Sequence, residues 1–139
     1  DVVDVVIFSD VLEAEWTVEG NDPDELDQLI TNIRGYYPNG GTDIYSPSLY
    51  ALQLLSEADT DAYIPAVVLM TDGESNVGRN YRDLREWYVR AEVDIPVFSI
   101  MFGNASEDQL EEIAALTRAR VFDGRHDLVH AFKEVKGYN

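Results

Sequence analysis

Cysteine is absent from the 139 residues, which excludes disulfide stapling and thiolate metal sites. The compartment stays open, because oxidising environments permit disulfides without requiring them. Lysine is scarce: Lys133 and Lys136 are the only two. Ten Lys and Arg stand against 27 Asp and Glu, for a formal charge of −17. Such a surface repels phosphate backbones and argues against nucleic-acid binding. It is compatible with a high-salt habitat and also with plain solubility. No apolar run approaches the ~20 residues needed to span a bilayer; stretches such as Ala66 to Met70 are strand-sized. Asp1 and Asp4 stand where a basic, then apolar, leader would be, so no signal peptide is expected at this start. There is no Gly-x-Ser-x-Gly elbow, no Ser or Thr with a recognisable His and carboxylate set, and no Gly-x-x-x-x-Gly-Lys phosphate loop. Nucleophilic and P-loop chemistry therefore lack their residues.

Apolar residues make up 45 % of the chain, enough for a real core. Strand and helix patterns alternate throughout with no linker or repeat, so residues 1–139 read as one α/β domain with a mostly parallel sheet and helices on both faces. Val5 to Phe8 is apolar on both faces, as a central strand should be. Ala14 to Val18 alternates and reads as an edge strand. Asp22, Pro23 and Glu25 mark a helix start, and its apolar stripe is Leu26, Leu29, Ile30 and Ile33. Pro38-Asn39-Gly40-Gly41 breaks the chain. A helix follows from about Tyr45 to Ser56, with Leu49, Leu52 and Leu55 inward. The strand Ile64 to Thr71 reads as fully buried. Asn80 can cap a helix with the stripe Leu84, Trp87, Tyr88 and Ala91. The strand Pro96 to Phe102 is apolar on both faces. Ser106 and Gln109 have capping-box spacing before Leu110, Ile113 and Ala114. A short strand near Arg120 to Phe122 and a helix from about Asp127 to Lys136, with Leu128, Phe132 and Val135 on one face, complete the pattern.

Functional groups of open parallel sheets collect in loops at the C-terminal ends of the strands. Two such loops carry hard oxygen donors: Gly40-Gly41-Thr42-Asp43, and Asp72-Gly73-Glu74-Ser75-Asn76. A hydroxyl and a carboxylate suit Mg²⁺, which keeps several waters. Taken alone, each loop also reads as an ordinary turn.

The segments Gly40-Gly41-Thr42-Asp43-Ile44-Tyr45, Val67-Val68-Leu69-Met70-Thr71-Asp72-Gly73-Glu74-Ser75 and Ile95-Pro96-Val97-Phe98-Ser99-Ile100-Met101-Phe102-Gly103 resemble successive segments of bacterial and archaeal von Willebrand factor A domains. Asp4-Val5-Val6-Ile7-Phe8-Ser9-Asp10 is similar to that family's second strand. The resemblance implies a Rossmann-like three-layer sandwich and a metal-ion-dependent adhesion site. In that site an Asp-x-Ser-x-Ser motif, a Thr and an Asp hold Mg²⁺ or Mn²⁺, and a partner protein's carboxylate fills the open position. Thr42 and Asp72 match the Thr and the Asp; Gly41, Asp43, Gly73, Glu74 and Ser75 would support the loops or touch the partner.

Asp-x-Ser-x-Ser occurs nowhere in the chain, and the family's first strand and helix are missing. Because the family order is 3-2-1-4-5-6, the strands at Val5 and Ile64 lose their common neighbour. That strand would bury on the order of 10 kcal/mol of apolar surface. The chain is therefore expected to be an N-terminally incomplete domain that binds Mg²⁺ weakly or not at all alone. Another chain would supply the strand, as complementation or an oligomer, or the two orphaned strands would pair directly.

The function expected is divalent-cation-dependent protein binding, without catalysis. The alternatives are a non-catalytic scaffold in a chelatase- or ATPase-type complex, and an Mg²⁺-dependent hydrolase acting through Asp72. An extracellular or cell-surface setting is expected over a cytoplasmic one. His126 and His130 have the spacing of a metal pair but lack a third ligand and read as surface residues. Glu111, Glu112 and the acids between Asp22 and Asp27 read as solvated helix faces. Trp87 and Tyr88 read as core, and Tyr36 and Tyr37 as packing beneath the glycine loop.

Overall fold

The computed structural model describes residues 2–35, 40–58 and 61–138. In chain order the elements are β1 (Val2–Phe8), β2 (Leu12–Glu19), α1 (Pro23–Arg34), α2 (Tyr45–Ser56), β3 (Val67–Thr71), α3 (Tyr81–Ala91), β4 (Val97–Met101), α4 (Glu107–Thr117), β5 (Val121–Asp123) and α5 (Leu128–Tyr138). Tyr36, Tyr37 and the Pro38-Asn39 break lie outside the described residues, as do the inner-face side chains expected on α5, Leu128, Phe132 and Val135.

β4 is buried at all five positions and lies between β3 and β5, parallel to both. Alternate residues leave opposite faces of a strand. Val97 and Met101 join Leu49, Leu52, Leu84, Leu110 and Ile113 in one core, while Phe98 and Ile100 join Phe122 and Ala131 in another. Helices α2, α3 and α4 thus cover one face and α5 the other. This is the α/β Rossmann-like sandwich expected from the sequence.

The helices start for local reasons. The Asp22 side chain accepts from the Asp24 N–H, with Pro23 at the first helical position. Asn80 and Asp83 form a reciprocal capping box on α3. The box expected at Ser106 forms only in part: Ser106 Oγ accepts from the Gln109 N–H at 3.4 Å, but the Gln109 side chain bonds elsewhere. His130 and Glu134 form an exposed pair at 3.0 Å on α5.

Four expectations need correction. β1 pairs antiparallel with β2 and has no fully buried residue, so it is not a central parallel strand. β3 begins at Val67, not Ile64, which is 84 % exposed; Pro65 beside it has no N–H for a ladder. β3 is also not fully buried, because Val68 is 37 % exposed. Of the α1 stripe, Leu29 is buried but Ile30 and Ile33 are exposed. The exposure of β1 and of Val68 has a common setting. Among the described residues the strands form two separate sheets, β1-β2 and β3-β4-β5, so β1 and β3 do not pair directly and each keeps one open edge.

Two polar contacts have consequences for stability. Thr117 is 1 % exposed, and its hydroxyl accepts from the Val97 N–H at 3.0 Å while donating to the Ile113 carbonyl at 3.1 Å. It ties the end of α4 to the start of β4. Thr117→Val keeps the shape but strands that N–H, and should cost about 1–3 kcal/mol in urea denaturation.

On the hairpin, burial and then the neighbouring Glu15 push the Asp4 carboxyl above its ordinary value, against a lowering bond from Thr17. A raised folded value means stability that is present at low pH and lost as pH rises through it. Asp4→Asn should therefore raise the urea midpoint near neutral pH, by about 0.5 kcal/mol or less after screening. The gain should vanish as pH falls below the ordinary carboxylate range.

Candidate metal centre

Four loops meet at the C-terminal ends of β1, β3 and β4. The Asp43 N–H donates to the Ser9 carbonyl at 2.8 Å, which ties the end of β1 to the loop before α2. The Asp43 side chain is 3 % exposed. Its carboxylate accepts from the N–H groups of Tyr45 and Ser46, both at 3.0 Å, from Ser46 Oγ at 2.5 Å and from the Arg79 N–H at 3.3 Å. It therefore caps α2 and holds the far end of the loop after β3. Gly78 allows this approach: its φ is +78°, and a side chain there would begin 2.0 Å from Asp43 Oδ2.

Thr42 is held by its backbone. Its carbonyl accepts from Asn76 and Val77 at 2.9 and 3.3 Å, and its N–H donates to Asn76 Oδ1 at 3.1 Å. Its hydroxyl lies over Gly73, where a side chain would begin 3.1 Å from Thr42 Oγ1. The hydroxyl thus sits against the residue that follows Asp72.

Asp72 is likewise fixed by its main chain. Its carbonyl accepts from the Asn104 N–H at 2.8 Å. Gly103, with φ +57°, passes so close that a side chain would begin 2.9 Å from Asp72 Cβ. The Asp72 residue is exposed. Among the described residues, neither its carboxylate nor Thr42 Oγ1 makes a hydrogen bond.

The remaining candidates have structural tasks. Ser75 Oγ accepts from the Ile44 N–H at 3.2 Å. The Ser75 N–H and carbonyl bond reciprocally to the Gln109 amide at 2.8 and 3.0 Å. Gly41 packs against Val77 and Asn76. Glu74 is exposed. Sequence reasoning missed Asn76 and Gln109 as clamps; an amide three residues after a helix cap signals a capping box more readily than a cross-loop bond. Asp10, which the sequence placed only at the end of the first strand segment, also reaches this rim, where a side chain on Gly40 would begin 3.1 Å from its Oδ1.

Chemically the mouth offers two hard oxygen donors on rigid backbone. They fit Mg²⁺ or Mn²⁺ in kind but not in number. Among the described residues no group of three or more His, Asp or Glu side chains is arranged to hold a metal ion.

The family model of the von Willebrand factor type A domain matches residues 1–133. This chain belongs to that family. No curated protein matches it closely enough to serve as a relative. VWA domains are mostly non-catalytic interaction modules and commonly bind Mg²⁺ or Mn²⁺. No helix among the described residues of this VWA domain is long and apolar enough to cross a membrane.

The Asp43 knot sets a prediction. Asp43→Ala and Gly78→Ala should each cost about 2–3 kcal/mol, the first by freeing buried donors and the second by collision and a left-handed φ. The double variant should cost clearly less than the sum, since the collision needs the carboxylate. Urea denaturation of the four proteins measures this, and simple additivity would refute it.

Proposed function

We propose that this VWA domain binds a partner protein at the loop mouth through a divalent cation held by Thr42 and Asp72. What supports the reading is the contrast at that mouth. The backbone of both loops is tied, Asp43 and Ser75 are engaged in holding it, and the Thr42 hydroxyl and Asp72 carboxylate have no hydrogen-bond partner among the described residues. Unengaged oxygen donors on adjacent tied loops are pre-organised to share a cation that keeps most of its water. Mg²⁺ or Mn²⁺ there would supply a Lewis-acidic anchor for a partner's carboxylate. Glu74, exposed beside Asp72, would contribute to specificity, with Gly41, Gly73 and Ser75 shaping the rim.

The smallness of the donor set favours a second reading. A non-catalytic scaffold domain would use the same mouth as a contact surface without a cation.

Mn²⁺ titration followed by water proton relaxation separates the two. The wild-type chain should bind weakly, with a dissociation constant on the order of 10⁻⁴–10⁻³ M or higher, as sites with few charged ligands do. Thr42→Val and Asp72→Asn should each abolish that binding while leaving circular dichroism unchanged. Binding indifferent to both substitutions removes the cation reading and leaves the scaffold.

A further inference from the structure

The chain's cations are not spread evenly. Arg79, Arg82, Arg85 and Arg90 are four of its ten Lys and Arg, and they fall on α3 and the residue just before its cap. On the helix itself Asp83 belongs to the capping box and Glu86 pairs with Arg82 at 3.1 Å; Glu92 and Asp94 follow beyond its end. Among the described residues, Arg85 and Arg90 have no ion-pair partner.

Helical periodicity turns Leu84 and Tyr88, both buried, toward the core and leaves Arg82, Arg85, Glu86, Val89 and Arg90 on the outer arc. Arg85, Glu86, Val89 and Arg90 line a shallow surface hollow of about 360 Å³. Val89 is 60 % exposed within it. An apolar side chain flanked by two guanidinium groups that have no ion-pair partner among the described residues is a local concentration of positive charge on a protein of charge −17.

We propose that this outer face of α3 docks a short acidic segment of a partner protein, with Arg85 and Arg90 taking its carboxylates and Val89 meeting an apolar side chain. Guanidinium forks bind carboxylates in bidentate fashion. The size of the patch selects against long polyanions. Arg82 to Arg90 spans about 12 Å at 1.5 Å per residue, little more than the ~8 Å screening length at physiological salt. A nucleic acid, a sulfated polysaccharide or an anionic membrane would run past it onto repelling acid. A segment with two or three carboxylates and one apolar residue fits within it. The helix that carries the patch starts beside the loop mouth, since the Arg79 N–H donates to Asp43 Oδ2 at 3.3 Å. The inference rests on the protein-binding reading but not on its cation.

The test is fluorescence anisotropy with a labelled Asp-Glu-Leu-Glu-Asp peptide, run in EDTA and again in Mg²⁺. The wild-type chain should bind it in both, more weakly as salt rises. The double variant Arg85→Glu, Arg90→Glu should lose roughly tenfold or more in affinity, with circular dichroism unchanged because both positions are exposed. Phosphatidylserine vesicles and heparin fragments should not compete. Equal binding by the variant, no binding by the wild type, or competition by vesicles or heparin would each overturn the proposal. So would sedimentation showing that wild-type chains self-associate through this face and the variant does not. Binding that persists in EDTA stands whatever the Mn²⁺ titration finds, so the two readings fail separately.

Discussion

One buried carboxylate organises the functional end of this domain. Asp43 receives four donors from two stretches of chain that are more than thirty residues apart in sequence. Its own N–H adds the end of β1 as a third attachment. A carboxylate this buried persists only if nearly every lone pair is matched. The matching groups are three backbone N–H donors, two at a helix start and one after a glycine turn, and the Ser46 hydroxyl. The loops cannot drift without leaving that charge unpaired, so the neighbouring residues inherit fixed positions. Thr42 and Asp72 can therefore present side chains with no hydrogen bonds of their own, because position is supplied by the main chain and by Asp43.

The same division of labour explains what was legible in the sequence. Capping chemistry is local, so the starts of α1, α3 and α4 could be read from Asp22, Pro23, Asn80 and Ser106, while periodicity placed Ile30, Ile33 and Ala91 inward although they are exposed. The burial of β4 followed from five apolar or small residues between Pro96 and Phe102. Cross-loop bonds are not local. Gln109 has the spacing to fold back on Ser106, and nothing in the chain says that Ser75, 34 residues away, offers it two better partners. Asp43 looked like a loop residue beside a ligand for the same reason: its burial depends on Gly78, which only tertiary structure brings within reach.

Burial on a sheet is equally non-local. Val5 to Phe8 and Ile64 to Thr71 have the composition of strands covered on both faces, and composition was the basis for placing them centrally. Their actual exposure is set by their neighbours. β1 has β2 on one side only and β3 has β4 on one side only, so Val2, Val3 and Val68 remain exposed. Ile30 and Ile33 on α1 show the same effect one layer out. A hydrophobic pattern states what a strand can tolerate burying. Whether it is buried depends on what lies beside it.

Charge joins the two ends of the functional argument. On the proposed reading, a chain of −17 that anchored partners by their carboxylates would face a contradiction, since its field repels the groups it would bind. A cation at Thr42 and Asp72 would reverse the sign only at the final contact, within a screening length of the mouth. The arginines of α3 reverse it along the approach, on a helix whose first turn is reached directly from the loop that Asp43 holds. Arg79 stands at the junction, its N–H on the Asp43 carboxylate, just before the Asn80 cap of α3. An acidic segment approaching elsewhere meets net repulsion. Along the proposed path it would meet the guanidinium groups of α3 before the oxygen donors of the mouth. Selection among partners would then follow from the arrangement of charge on the surface, before any complementarity of shape is tested.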